Sequence, residues 1–183
     1  MQSITLSDEQ REFRRVIRQF AEDKIGPNAA AVDESAEYSW ENWEAMKSMD
    51  LPGLGFPVEF GGGGADHVTQ AMVVEEIARV CASTSLTLLI SKLGMIPVMN
   101  WGSDHLKSTY LPKVASGEWQ TSYCLSEPDA GSDVANMSTR AERDGDSYVL
   151  NGTKYWITNA GISTTYTVFA KTDPSAGHRG ISA

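Results

Sequence analysis

The feature that most constrains this fold is a change of hydrophobic period near Gly117. Before it, apolar residues recur every three or four positions, which is the period of amphipathic helices. After it, Tyr, Val, Thr and Trp alternate with polar residues, which is the period of strands. Helices followed by strands favour an α+β arrangement over an alternating parallel sheet. We therefore expect an all-helical N-terminal domain over 1–117 and an antiparallel β-domain over 118–183.

The helical part begins with a recognisable start signal. Ser7 to Gln10 matches a capping box, in which each end residue hydrogen-bonds the backbone of the other. An apolar stripe follows and stops at Gly26–Pro27, where we expect the first helix to end. Further helices are predicted at about 40–49, 66–81, 85–101 (broken near Gly94 and Pro97) and 103–115.

The second part contains short runs rich in β-formers, separated by tight-turn signals such as Asn151–Gly152. The last run stops at Ala183 with no closing element, and an open sheet edge is normally covered or charged. We therefore expect the β-domain to be incomplete in this chain, and either further polypeptide or another chain to complete it. The predicted strands lie at 119–126, 138–143, 147–150, 154–158 and 164–171.

Charge and composition exclude several classes of function. The chain has 24 acidic and 15 basic residues, a net charge of −9, which repels nucleic acid and anionic membranes. A local anion site built from backbone N–H groups stays open. The longest apolar patch, about 86–90, falls short of the roughly 18 residues of a membrane span, so no membrane insertion is expected.

Other residues indicate the compartment and argue against a metal site. The acidic, polar N-terminus has neither a secretory signal nor an Arg-rich transit peptide. The two cysteines, Cys81 and Cys124, fit a reducing environment. We therefore expect a cytoplasmic protein. His67, His105 and His178 lie far apart without metal-ligand spacing, so no metal is expected.

Two segments have the composition of a ligand site. In 123–133 a strand enters a turn with Pro, Gly and the hydroxyls of Ser126 and Ser132, which suits a phosphate or a ring carbonyl. An acidic hairpin tip accounts for it equally well. If 154–158 is a strand, Trp156 and Thr158 share one face and would form a wall for a flat heteroaromatic ring. A tryptophan packed on the helices is the alternative.

The same two segments carry a family resemblance. Two stretches closely resemble motifs of the acyl-CoA dehydrogenase family. They are Tyr-Cys-Leu-Ser-Glu-Pro-Asp-Ala-Gly-Ser-Asp at 123–133 and Asn-Gly-Thr-Lys-Tyr-Trp-Ile-Thr-Asn-Ala at 151–160. The stretches at 6–10, 57–62 and 75–79 are similar to it as well, so the resemblance covers essentially the whole chain.

The resemblance implies an N-terminal helical domain, a middle β-domain, and FAD held between that β-domain and a C-terminal four-helix bundle. Ser126 would hydrogen-bond the flavin ring, Trp156 would pack beside it, and Thr158 would reach its N5 edge. Ser132 would also border the acyl-CoA, and the helices over 83–101 would wall part of the acyl-chain pocket. The cofactor-binding residues implied in this way are Tyr123, Leu125, Ser126, Gly131, Ser132, Trp156, Ile157 and Thr158.

The implied reaction is α,β-dehydrogenation of an acyl-CoA thioester in fatty acid metabolism, with hydride passing to flavin N5. The implied partners are an electron-transfer flavoprotein and further copies of the chain in a homo-oligomer. In this family the glutamate base lies on the C-terminal bundle, so no catalytic residue is expected here, and Glu127 is expected to be structural. We expect the chain alone to be inactive and to bind FAD weakly.

Two alternatives stay open at this point. One is a naturally short, non-catalytic protein that binds a flavin, a CoA ester or a partner chain. The other is a relative with altered chemistry, such as an acyl-CoA oxidase or a nitroalkane oxidase. Neither the length nor the branching of the acyl chain is indicated by these residues, because the pocket would also use the C-terminal bundle.

Overall fold

The computed structural model describes residues 5–183 and places helices before strands, which confirms the α+β class. The helices are α1 (Asp8–Phe20), α2 (Ala29–Ser35), α3 (Trp40–Lys47), α4 (His67–Ala78), α5 (Ala82–Leu93), α6 (Ile96–Trp101) and α7 (Asp104–Ala115). The strands are β1 (Thr121–Cys124), β2 (Arg140–Asp144), β3 (Ser147–Asn151), β4 (Thr165–Val168), β5 (Ala170–Lys171) and β6 (Ile181–Ser182).

The predicted start of α1 is confirmed, but its predicted end is not. Ser7 and Gln10 form a reciprocal capping box, with N···O distances of 3.1 and 3.0 Å. At its other end α1 passes into a π-helical turn at Ala21–Ile25 and a 3₁₀ turn at Gly26–Asn28, and α2 follows. Pro27 does not end the run of helical turns, because a proline in the first turn of a helix loses no intrahelical hydrogen bond.

Two apolar clusters hold the helical part together. The larger lies between α1, α3, α4 and α5, and its fully buried members include Ile17, Trp43 and Ile77. The smaller surrounds α7 and contains Phe56 and Leu111. Burying each such side chain contributes about 1.5–3 kcal/mol to folding, so these clusters fix the helices onto which the strands dock.

The helical stretch Ala82–Trp101 is long and apolar enough, by length and composition alone, to cross a membrane. The expectation that no segment approaches such a length is therefore wrong. The core helices of globular proteins often meet the same criterion, so this is weak evidence for a span. Here the stretch is interrupted between α5 and α6, and α5 packs against α4 and β1.

The strands form two small sheets with mixed pairing. β1 pairs in parallel with β4, whereas β2 and β3 form the antiparallel hairpin that the sequence predicts. β5 meets β2 at one parallel bridge and pairs antiparallel with β6. The expected purely antiparallel pairing is thus wrong for β1, because the chain passes through the β2–β3 hairpin before it returns alongside β1.

The sheet docks on the helices through main-chain carbonyls at the end of α5. The buried Thr121 hydroxyl lies 3.0 Å from the Ile90 carbonyl oxygen and 3.2 Å from that of Ser91. A Cβ on Gly94 would come within 2.3 Å of the Thr121 Oγ1 atom, so only glycine allows this approach. This contact holds β1 on the helices, and the Thr167 hydroxyl of β4 adds a second contact by donating to the Gly94 carbonyl at 2.5 Å.

A fully buried carboxylate joins α1 to α4. Glu76 accepts hydrogen bonds from Arg14 Nε at 2.5 Å and from Arg18 Nε at 2.9 Å, and Arg79 Nε lies 3.4 Å away. The Arg18 hydrogen bond outweighs desolvation and, with Arg14, lowers the pKa of Glu76 to about 2. The charged carboxylate is therefore the form that stabilises the fold.

We predict that Glu76→Gln lowers the free energy of unfolding at pH 7 by about 1–3 kcal/mol, because the partly exposed arginines lose the charged acceptor that the fully buried carboxylate provides. The folded pKa lies below the ordinary 4.5, so this contribution is complete above about pH 5 and is lost as the pH falls toward 2. Urea unfolding at several pH values measures it. Glu75→Gln is the control, since Glu75 is exposed and lies 3.7 Å from Arg14; equal losses in both variants would contradict the prediction.

Candidate functional site

The first predicted segment forms a tight turn at the end of β1. The Glu127 N–H donates to the Ala130 carbonyl at 2.9 Å, and the Ala130 N–H donates back to the Glu127 carbonyl at 3.2 Å. The side chain of Asn136 supports the turn by donating to the Asp129 carbonyl at 3.0 Å. Gly131 and Ser132 are exposed at its outer surface, as a ligand-contacting turn requires.

Glu127 lies under this turn with a nearly inaccessible side chain. Its carboxylate accepts hydrogen bonds from Ser138 N at 2.5 Å, Ser138 Oγ at 2.8 Å, Thr139 N at 3.1 Å and Lys154 Nζ at 2.8 Å. Burial alone would raise the pKa of Glu127, but hydrogen bonds from Lys154, Thr139 and Ser138 outweigh it and hold that pKa far below its usual range. The contacts therefore fit the expected structural role.

The second segment is bound directly to the first. The Tyr155 N–H donates to the Ser126 carbonyl at 2.8 Å, and Lys154 Nζ donates to the Leu125 carbonyl at 3.1 Å. Two further contacts tie the segment to β1: Ser122 Oγ donates to the Thr158 carbonyl at 2.9 Å, and Asn159 Nδ2 donates to that of Thr121 at 3.2 Å. The two motifs that the sequence singles out thus form one surface.

The predicted strand at 154–158 is wrong. None of these residues is in a strand, and Trp156 has a left-handed backbone with φ of +57°. The period-2 argument that placed Trp156 and Thr158 on one face therefore does not hold. A left-handed conformation costs a residue with a Cβ about 1–2 kcal/mol, so long-range hydrogen bonds, rather than local preference, maintain it.

The structure separates the predicted cofactor-binding residues into two groups. Tyr123, Leu125, Ser126, Ile157 and Thr158 are half-buried, whereas Gly131, Ser132 and Trp156 are exposed. The Trp156 indole is 85% exposed and touches the Tyr155 ring edge-on, with 5.0 Å between centroids. The alternative that this tryptophan packs on the helices is therefore wrong.

Three hydroxyls at this surface are available to a ligand. Among residues 5–183, the side-chain oxygens of Ser126, Ser132 and Thr158 form no hydrogen bond with the protein, whereas those of Ser122 and Ser138 do. A Cβ on Gly131 would meet no atom within 4 Å. The surface is open and polar there, and packing within the chain does not require a glycine.

Several contributors were missed by the sequence analysis. Phe169 packs on Tyr123 with 4.8 Å between ring centroids, and burial raises the pKa of Tyr123, so that phenol is neutral. Lys154 and Asn159 join the two segments. The only sequence feature that points to these two residues is their place in the second motif, because the residues that they hydrogen-bond lie 27 to 38 positions away.

The larger grooves lie away from this surface. One of about 810 Å³ lies between α6, α7 and β4, and one of about 590 Å³ lies beside α1. A further groove of about 470 Å³ lies between α4, α5 and the 51–55 loop. α5 contributes Leu88, Leu89 and Lys92 to this last groove. The helices over 83–101 therefore do line apolar clefts, while the candidate site itself is an open face.

We predict that Trp156→Gly costs less stability than Trp101→Gly, by about 1–2 kcal/mol. Glycine relieves the left-handed strain at 156, whereas Trp101, at the end of α6, has no such strain to relieve. Both side chains are at least 80% exposed, so the two substitutions remove similarly small amounts of buried surface. Thermal or urea unfolding gives the comparison, and an equal or larger loss for Trp156→Gly would contradict the proposed strain.

Comparison with known proteins identifies the family. A model described as the acyl-CoA dehydrogenase N-terminal domain matches residues 7–118, and one described as the middle domain matches residues 122–183. A probable acyl-CoA dehydrogenase, FadE25 of Mycobacterium tuberculosis, is 49% identical over 178 residues. That alignment covers 97% of this chain but 46% of the relative, so the chain spans about half the length of the relatives it matches.

Solved structures agree with this result. A glutaryl-coenzyme A dehydrogenase in complex with glutaryl-CoA superposes with a TM-score of 0.91 at 36% identity, over 98% of this chain and 47% of the other. A glutaryl-CoA dehydrogenase from Mycobacterium smegmatis in complex with FADH2 gives 0.87 at 31%, over 92% and 44%. With both domain models matched across nearly the whole sequence, the chain belongs to the acyl-CoA dehydrogenase family.

Proposed function

We propose that this chain is part of an FAD-dependent dehydrogenase that removes hydrogen from the α- and β-carbons of an acyl-CoA thioester. One observation carries the proposal: the segments 123–133 and 154–158 are hydrogen-bonded to each other at Ser126 and Tyr155. The exposed Trp156 indole, and the hydroxyls of Ser126, Ser132 and Thr158 that form no hydrogen bond within residues 5–183, therefore lie on segments that are held together. The FADH2 in the related Mycobacterium smegmatis structure supports the choice of cofactor.

The residues at this surface suit a flavin. A flavin has a flat aromatic ring with hydrogen-bonding atoms along its edge, and the Trp156 indole offers a face beside which such a ring would pack. Ser126 and Thr158 would bind the ring, and Gly131 and Ser132 would border its diphosphate-bearing part or the acyl-CoA. When bound, FAD accepts the hydride that leaves the β-carbon.

Glu127 does not supply the base for this reaction. A general base must accept a proton, and its pKa must lie near the working pH for proton transfer to be efficient. The Glu127 carboxylate already accepts four hydrogen bonds, and its pKa is held far below the usual range. We therefore propose that the α-proton is removed by a carboxylate outside residues 5–183.

The partners we propose follow from the family. The substrate is an acyl-CoA, and the electron acceptor is an electron-transfer flavoprotein, with the chain acting within a homo-oligomer in the cytoplasm.

The oxidase alternative differs in the acceptor of the electrons, which is O₂ in place of an electron-transfer flavoprotein. Rapid consumption of O₂ by the reduced flavoprotein would indicate an oxidase, and slow consumption would support a dehydrogenase.

We predict that Thr158→Val weakens FAD binding about five- to tenfold, because one hydrogen bond is worth roughly 1 kcal/mol and valine keeps the shape. Flavin fluorescence during titration of the chain into FAD measures the affinity. Thr164→Val is the matched control, since Thr164 is exposed and lies on the groove beside β4. Equal losses in both variants, or no loss in Thr158→Val, would argue against the proposed site.

We also predict that the 183-residue chain, mixed with FAD and an acyl-CoA, does not bleach the flavin absorbance. A reaction without a positioned base loses roughly 10²–10⁴-fold in rate. The measurement is anaerobic absorbance at the flavin maximum, with dithionite reduction as a positive control. Bleaching of the flavin by the unaltered chain would contradict the prediction.

A further inference from the structure

We propose that Lys154 and Glu127 form a positioning pair that sets the register between the two segments of the candidate flavin site. The pair is nearly inaccessible, with side-chain exposures of 11% and 2%, and its N···O distance is 2.8 Å. The assignment of a flavin to these segments rests on the function proposed above. The positioning role of the pair does not depend on that function.

Lys154 binds the first segment at two points. Its ammonium group donates to the Glu127 carboxylate and also, at 3.1 Å, to the Leu125 carbonyl. A single side chain from the second segment thus contacts a main-chain and a side-chain acceptor two residues apart. Two such contacts fix both the position and the direction of the second segment, which one contact would not do.

Glu127 extends the connection to a third segment. Its carboxylate is also bound by the backbone N–H and hydroxyl of Ser138 and by the backbone N–H of Thr139, just before β2. Every one of these donors belongs to the chain itself. The arrangement is therefore formed before any ligand binds, which is how a site avoids an ordering cost on binding.

The residue affected most directly is Trp156. Its left-handed backbone lies between two anchors, the Tyr155 N–H on the Ser126 carbonyl and the Thr158 carbonyl on Ser122 Oγ. Strained backbone persists only where its surroundings over-determine it. Lys154 precedes the first anchor by one residue, so loss of its two contacts releases the restraint on that side.

Lys154→Met tests this inference, because methionine keeps most of the length of the unbranched side chain and removes its charge. We expect the Tyr155 amide, observed by NMR hydrogen exchange without flavin, to exchange at least tenfold faster. The Cys81 amide, bonded to the Ile77 carbonyl at 2.9 Å in the helical part, is expected to change by less than threefold. FAD affinity is expected to fall at least tenfold.

The matched control is Lys113→Met. Lys113 pairs with Glu118 at the same 2.8 Å, but both side chains are about half exposed. We expect neither the exchange of the Tyr155 amide nor FAD affinity to change in this variant. Equal acceleration at Tyr155 and Cys81 in Lys154→Met would mean that the pair only stabilises the fold, and unchanged exchange at Tyr155 would mean that it positions nothing. Either result overturns the inference.

A second variant covers the case in which Lys154→Met does not fold. The double variant Glu127→Gln/Lys154→Met removes both buried charges, so no unpaired charge is left to destabilise the fold. We expect it to fold and still to exchange the Tyr155 amide at least tenfold faster; wild-type protection there overturns the inference. Equal FAD affinity in the unaltered chain and in Thr158→Val would instead argue against the proposed flavin site, while the Tyr155 result still decides this inference.

Discussion

The structure depends on the contact between β1 and the carboxyl end of α5. Thr121 is fully buried, and its hydroxyl contacts the carbonyls of Ile90 and Ser91 in the last turn of the helix. The Ile90 carbonyl also accepts the Gly94 N–H at 2.9 Å. Gly94 leaves the room for it. Because one hydroxyl serves helix carbonyls and also fixes the strand, the helical and β parts take one relative position. One segment of the candidate site continues from the strand that this contact holds, and the other is hydrogen-bonded to that strand.

β1 is also the common support of the candidate site. The turn that holds Ser126 and Ser132 continues directly from it, while the 154–159 segment is hydrogen-bonded to it through Ser122 and Thr121. The groups offered to a ligand come from two stretches of chain, yet each is tied to the same rigid element. This is the arrangement that preorganised binding requires, since loops positioned by a scaffold lose little freedom when a ligand arrives.

Local sequence patterns were sufficient to predict part of the fold. The period change, the capping box of Ser7 and the β2–β3 hairpin are local features that the structure confirms. The Asn151–Gly152 signal closes no hairpin, because β3 ends at Asn151 and 154–158 is not a strand. The backbone of Trp156 could not be predicted in this way, because tryptophan favours strands. Its conformation depends on contacts such as Tyr155 with Ser126, which are distant in sequence. The parallel pairing of β1 with β4 is non-local for the same reason.

The two buried glutamates show how a perturbed pKa should be interpreted in this chain. Strong shifts often mark catalytic groups, and Glu127 lies beside the candidate site. However, the pKa values of Glu76 and Glu127 are both lowered by surrounding donors, whereas a carboxylate that accepts a proton near neutral pH needs a raised one. The direction of the shift, more than its size, separates the two roles. Both carboxylates are anions near neutral pH and hold segments of the chain together.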